Sequence, residues 1–269
     1  MSTILINYAD GLYKKTQAFN SWTGRVIAGF DKVIEFGPKD IDNDFYQENK
    51  ELLKEKRGAG LWLWKPYVVL KALELAEEGD YIFYCDSGSF FCGKIKKIIQ
   101  NMKEDVWVSD IPLIEKQWTK PRVFETLQAA SDEIKESNQI QGGFICVRKT
   151  TQSVELVREW LNCCCQPKLL LPEESKKGEF IEHREDQSLL SVLCKKRNIK
   201  PHKDPSQYGR IPEKYHLSGA LFKVPVHPDD SYCPIIVLHR TKDVKLMTAL
   251  RQWLLTWLPK PIIYRLINK

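Results

Sequence analysis

The sequence holds no uncharged apolar run of the ~18–20 residues that a membrane-spanning helix requires, and the opening Met1–Tyr8 lacks the basic residues and apolar length of a secretory leader. These absences lead to the expectation of a chain that stays on the cytosolic side. Its eight Cys and five His show no zinc-ligand spacing. Cys163-Cys164-Cys165 cannot readily pair within itself, and the other cysteines stand singly among apolar residues, so reduced, buried thiols are expected. The sequence has no Walker lysine loop, no Gly-x-Gly-x-x-Gly and no Gly-x-Ser-x-Gly elbow. An enzyme handling phosphates on this chain would therefore have to use a metal. Internal repeats and low-complexity linkers are also missing.

What is present is an ordinary globular composition with an uneven charge. The 269 residues are 43% hydrophobic and 28% charged, which excludes wholesale disorder. The formal net charge is +6. From Arg240 to Lys269 seven basic residues face the single acid Asp243, so that whole excess lies in the tail. Residues 1–239 balance at 34 of each sign. A neutral body argues against nucleic acid as a partner, because such affinity needs a basic surface across several phosphates.

Apolar patterning predicts strands at Thr3–Tyr8, Tyr81–Cys85, Val106–Val108, within Gln139–Arg148 and at Ile235–Leu238. It predicts helices at Glu51–Lys56, Tyr67–Glu78, Ile95–Met102, Thr151–Cys164 and Glu185–Arg197, with a polar loop at Pro172–Gly178. Val26–Phe30 and Lys32–Phe36 fit strand or loop. Strands alternating with helices imply an α/β class with a mostly parallel sheet, and no domain boundary is visible before residue 240.

Five stretches carry chemistry-bearing residues, each with a plainer reading beside it. Asp86 follows the apolar strand Tyr81–Cys85, at the carboxyl end where open α/β sheets bind ligands. With Ser87 and Gly88 after it, it suits a cation and a diphosphate, or simply a loop cap. Gly58-Ala59-Gly60-Leu61-Trp62-Leu63-Trp64-Lys65-Pro66 puts Trp62 and Trp64 on one face if extended. The two rings would offer a sugar platform with Lys65 meeting an anion, or else pack in the core. Glu185 and Asp186 open a helix, as a general base or as helix-end acids. Gly142 and Gly143 permit close backbone approach, or make a plain turn. His239 follows the last strand with Arg240 and Lys242 behind it, as a metal ligand beside phosphate-binding cations or as a structural histidine.

In this order, these stretches resemble the glycosyltransferases of GT-A fold that use nucleotide-sugar donors. Gly29-Phe30-Asp31, His183 to Ser188 and Asp204-Pro205-Ser206-Gln207-Tyr208-Gly209 add to the likeness. More closely, the chain is similar to bacterial enzymes of capsule, lipopolysaccharide and other surface-polysaccharide clusters. The resemblance implies one GT-A-like α/β domain over residues 1–240, with a mostly parallel central sheet flanked by helices. It implies Mn²⁺ or Mg²⁺ on the donor diphosphate, with Asp86 as first acid of an Asp-x-Asp-like motif whose third position is Gly88. His239 would be the second metal ligand. Tyr8 and Asp10 would meet the nucleotide base, Gly142 and Gly143 would line the donor sugar, and Asp186, with Glu185 as alternative, would serve as base in an inverting enzyme. The donor would be UDP-linked in first expectation, and the acceptor a glycan or lipid-linked glycan. A nucleotidyltransferase-like enzyme and a non-catalytic carbohydrate-binding scaffold are the competing readings.

Residues 241–269 form the expected basic amphipathic tail. Leu246, Met247, Leu250, Trp253, Leu254, Trp257 and Leu258 share one helical face, with Lys245, Thr248, Arg251 and Gln252 away from it. This is the pattern of an interfacial helix on anionic membrane, and equally of a helix packed on the body. The expected location is cytoplasmic, at the inner face of the membrane.

Overall fold

A computed structural model of the chain describes all residues except 101, 174–179, 245, 260 and 264–269, and it also leaves the side chains of Leu246 and Leu255 undescribed. Most of the expected loop at 172–178, the last residues of the tail and the side chain of one expected face position, Leu246, thus lie outside the described residues.

The central sheet has five strands. They are β1 (Thr3–Tyr8), β2 (Lys32–Phe36), β3 (Tyr81–Cys85), β5 (Val106–Trp107) and β8 (Phe144–Arg148), in the order β2-β1-β3-β8-β5. β1 pairs in parallel with β2 and β3, whereas β8 runs antiparallel to both β3 and β5. Four of the five strands therefore point one way, as expected of a mostly parallel sheet.

Strand alternation divides the core. Ile4, Ile6, Ile82, Tyr84, Ile145 and Val147 face one side, under helices α2 (Trp64–Leu75), α3 (Thr151–Cys164) and α4 (Glu185–Lys196). Leu5, Phe83, Cys85, Phe144 and Cys146 face the other side, over Phe30, Phe91, Ile95 and Ile236. Both faces are covered, which is why these strands read as nearly unbroken apolar runs. Helix α1 (Lys14–Thr23) is tied to β1 through the buried Asn7 amide, which donates to Asn20 at 2.8 Å and Ser21 at 3.0 Å.

Two small antiparallel ribbons were not anticipated. β4 (Ser89–Phe91) pairs with β9 (Ile236–Leu238), and β6 (Asp110–Ile114) pairs with β7 (Asn138–Ile140). The helix expected from Tyr67 begins earlier, at Trp64, and ends at Leu75, while that expected over Ile95–Met102 reduces to one turn at Lys96–Ile99. The tail forms α5 (Leu246–Trp257), which turns Ala249 and Thr256 into the body. Arg210 donates its guanidinium to the carbonyls of Thr256 and Leu258. No helix among the described residues is long and apolar enough to cross a membrane.

Candidate functional site

Asp86 stands at the carboxyl end of β3, with its backbone N–H donating to Gly143 O at 2.9 Å. Asp186 stands in the first turn of α4. Lys65, in the first turn of α2, reaches between them. Its ammonium donates to Gly142 O at 2.9 Å and lies 3.1 Å from Asp186 Oδ2 and 3.6 Å from Asp86 Oδ1. Tyr84 donates its hydroxyl to the same Asp86 oxygen at 2.5 Å. The sequence suggested Lys65 as an anion contact at a helix start. It is instead 97% buried and serves two protein carboxylates.

The glycine pair leaves both acids room. A Cβ on Gly142 would stand 3.4 Å from Asp186 Oδ2, and one on Gly143 would stand 3.5 Å from Asp86 Oδ2. A Cβ alone would make ordinary contact there, whereas a longer side chain would cover the carboxylate oxygens. The two acids thus look onto a strip of bare backbone, and Asp86 keeps 39% of its side chain exposed.

Burial raises Asp186 to about 6 against the pull of Lys65, while the charge of Asp86 pushes it the same way as burial. Burial would lower Lys65, but Asp186 and Asp86 outweigh it and hold the ammonium above its ordinary value. Glu185 is raised to about 7, chiefly by burial, with Arg57 opposing. Arg57 reaches Glu182 and Glu185 at 2.6 Å each. Its contact with Glu185 Oε1 is an ion pair without hydrogen-bond alignment, as is that of Lys65 with Asp186 Oδ2. Glu185 itself sits at φ +36, a left-handed backbone rare for a residue with a side chain.

Strain of the same kind builds the opposite wall. Residues 58–62 all have positive φ, from +51 at Ala59 to +103 at Gly60. A left-handed conformation costs roughly 1–2 kcal/mol for each residue bearing a Cβ, and Ala59, Leu61 and Trp62 each carry one. The turn is held by Leu61, which is fully buried, and by Trp64 Nε1 donating to Gly58 O at 2.9 Å. Its geometry separates the two tryptophans that an extended chain would have aligned. Trp62 packs over the turn beneath Arg57, 6.0 Å from the ring centroid. Trp64 stacks on Tyr8 at 3.9 Å with 14° between the rings, both side chains being buried. Arg57 was not among the expected residues; its place just before the glycines and opposite two acids is the signal that would have found it.

The remaining expected residues take distinct places. Ser87 is buried and donates to Tyr8 O at 2.7 Å, fastening the Asp86 loop to β1. Asp10 caps a short turn by accepting from Leu12 N at 3.2 Å. Gly88 O accepts from the backbone N–H groups of His239 and Arg240, at 3.0 and 2.9 Å. This brings the end of β9 against the Asp86 loop. The His239 ring stacks on Phe90 at 6.3 Å, and burial lowers it to about 4, so it is neutral at pH 7. Its Nδ1 accepts from Thr241 N, and its buried Nε2 has no partner. Arg240 is exposed, with its guanidinium 5.2 Å from the Tyr208 ring centroid, and Lys242 is exposed too.

Asp86 keeps an exposed carboxylate, and His239 is neutral with an unpartnered ring nitrogen. Each is a donor type that a divalent cation takes. Among the described residues no three ligating side chains converge.

No protein-family model matches the chain, and no curated protein does. Some solved structures resemble it. Mouse xyloside xylosyltransferase 1 in apo form is 8% identical, with 91% of this chain and 99% of that one covered at a TM-score of 0.49. The galactosyltransferase LgtC, in complex with donor and acceptor sugar analogs, is 11% identical over 96% and 98% of the two chains, also at 0.49. The apo glycosyltransferase GlyE of Streptococcus pneumoniae TIGR4 is 13% identical over 98% of this chain and 62% of its own, at 0.47. Each is a likeness to a solved structure and carries no activity over to this chain.

Proposed function

We propose that the protein transfers a sugar from a nucleotide-sugar donor, UDP-linked in the first instance, to a glycan or lipid-linked glycan acceptor of a bacterial surface polysaccharide. The observation that carries this reading is the pair Asp86 and Asp186, joined by Lys65 and facing the bare Gly142-Gly143 backbone. One acid at a strand's carboxyl end and another at a helix start, bridged by Lys65, suit a diphosphate on one side and an attacking hydroxyl on the other.

In this reading Asp186 takes the hydroxyl proton as the oxygen bonds the anomeric carbon, and the bond from that carbon to the diphosphate breaks. A base is most effective when its pKa lies near the working pH, and burial brings Asp186 to about 6. Lys65 holds it ionised and aimed. Glu185 is the weaker candidate because Arg57 clamps it at 2.6 Å. Asp86 and His239 would hold Mn²⁺ or Mg²⁺, which when bound would neutralise charge on the leaving diphosphate. Ser87 and Gly88 keep the Asp86 loop in register beneath it. Hydrolysis of UDP-, GDP- and CMP-sugars, with Mn²⁺ or with EDTA, tests the proposal. Turnover of one donor class, lost in Asp86→Ala, is expected; no binding or turnover of any would overturn it.

The tail fits a place at an anionic membrane surface, beside a lipid-linked acceptor. With Ala249 and Thr256 turned inward, α5 leaves Met247, Leu250, Trp253, Leu254 and Trp257 exposed, along with the basic Arg251. Trp and Leu flanked by cations are what an interfacial helix presents. Liposomes with phosphatidylglycerol should retain the protein and release a Trp253→Ala/Trp257→Ala variant; equal retention of both would remove the tail from this role.

A further inference from the structure

Arg184 immediately precedes the acid pair, and its role was not foreseen. Its backbone N–H donates to Trp118 O at 3.2 Å and Ser188 Oγ at 3.0 Å, fixing it at the head of α4. Its guanidinium lies 4.3 Å from the Trp118 ring centroid. No carboxylate among the described residues lies within the 4.0 Å of an ion pair with it. The acids on its own segment, Glu182 and Glu185, are both taken by Arg57 at 2.6 Å.

Arg240 repeats this pattern across the site. Its backbone is pinned to Gly88 O at 2.9 Å with φ +54, its guanidinium rests on Tyr208, and it too has no ion pair among the described residues. The rings beneath connect, since Tyr215 packs against the cluster that holds Trp118 and lies 5.2 Å from Tyr208. A guanidinium over an aromatic face leaves N–H donors free to grip phosphate oxygens two at a time. A largely enclosed cation without a counter-ion is costly in the free protein.

We propose that Arg184 and Arg240 form a two-guanidinium receptor for a diphosphate, Arg184 acting from the head of α4 and Arg240 from the end of β9. The proposal rests on the nucleotide-sugar reading for the identity of the diphosphate, as the donor's own. Burial first, and the nearby charge of Arg240 as well, draw Arg184 below its ordinary pKa, against Glu182, Tyr215 and Glu185. A bound dianion relieves both penalties.

Calorimetry on the full chain, with inorganic diphosphate, UDP, uridine and glucuronate as probes and EDTA present, tests this. Wild type should bind diphosphate and UDP well above uridine and glucuronate. Arg184→Met, which keeps the apolar stack on Trp118, should weaken diphosphate and UDP by on the order of tenfold to a hundredfold, the worth of a charged hydrogen bond. Uridine binding should be unchanged. Arg240→Met, at an exposed position, should do the same without risk to folding, and Arg184→Lys should restore only part. Diphosphate binding equal to wild type in both Met variants overturns the proposal, as does preference for glucuronate, which would make this a carboxylate site. Diphosphate binding lost in the variants, with no nucleotide-sugar ever turned over, would sustain the receptor and defeat the proposed function alone. Turnover with UDP affinity unmoved by either variant would defeat the receptor alone.

Discussion

Helix α4 carries a buried ion pair at each end, and the two are built differently. Near its C-terminal end, Lys195 meets the fully buried Glu115 at 2.5 Å. Glu115 also accepts from Thr119 at 2.5 Å, from Gln139 at 3.2 Å and from Ser191. Every lone pair is used and the backbone is ordinary. At the N-terminal end, Asp186 Oδ2 and Glu185 Oε1 have ionic neighbours but no aligned hydrogen bond, Glu185 is strained, and both acids are raised into the neutral range. A satisfied network fixes one structure; an under-satisfied one retains capacity for a ligand. That contrast, found within a single helix, separates the scaffold from the site.

The sharpest way to break the contrast is Asp186→Asn. Sugar transfer should fall by about 10²–10⁴-fold, the usual weight of a general base, while the stability loss stays below that of Glu115→Ala because Lys65 keeps Asp86 and Gly142 O. Loss of fold with activity per folded molecule intact would make this end structural as well. Glu115→Ala should do the reverse, costing about 3–5 kcal/mol of stability because Lys195 is left buried without its partner. Urea unfolding measures this, and a change below ~1 kcal/mol would erase the distinction.

A third probe reaches the wall opposite α4. At Gly60, φ +103 is joined to a Cβ position only 2.9 Å from Leu53 Cα. Gly60→Ala should cost about 1–3 kcal/mol from strain alone and lower activity further by displacing Arg57 and Lys65. Wild-type stability in that variant would show that the turn relaxes freely.

The smallest effect is in pH. Glu185 titrates at about 7 when folded against 4.5 ordinarily, so the native chain holds the extra proton between those values. Its contribution to stability therefore falls as pH rises from about 4.5 to 7. Asp186, raised to about 6 chiefly by burial, acts in the same sense as Glu185. His183 and His239, lowered to about 3 and about 4 chiefly by burial, act in the opposite sense below about 6.5. Two acids set against two histidines leave wild type with little change across this range. Glu185→Gln removes one of the two acids. It should melt above wild type at pH 8 by on the order of 1 kcal/mol, with the advantage gone at pH 5. A pH-independent difference would mean that the glutamate is not held in its protonated form by burial.

The sequence disclosed the frame because nearly unbroken apolar runs and a capped amphipathic pattern are local signals. β1, β3, β8 and the helix Thr151–Cys164 were all legible this way. Asp86, Asp186 and the glycine pair were legible as residues, since strand ends and helix starts are where such groups act. Their common partner Lys65 was misread, because its direction depends on a left-handed turn decided by the burial of Leu61 and the stack of Trp64 on Tyr8. Arg57 and Arg184 escaped notice for a related reason: an arginine beside glutamates reads as a surface pair until distances show which cation holds which acid. The β4–β9 ribbon was hidden by its shortness, three residues on each strand.

That ribbon has a consequence for synthesis. Ser89 pairs with Leu238, and the loop holding Asp86 is closed by backbone groups of residues 239 and 240. With the ribosome adding roughly 5–20 residues per second, β1, β2 and β3 are out of the tunnel for many seconds before their closing strand exists. The growing polypeptide spends most of its time as a sheet with an unfinished edge loop. Ribosome-bound nascent chains halted before residue 236 should keep that loop open to protease, and those carried through residue 240 with the tunnel cleared should protect it.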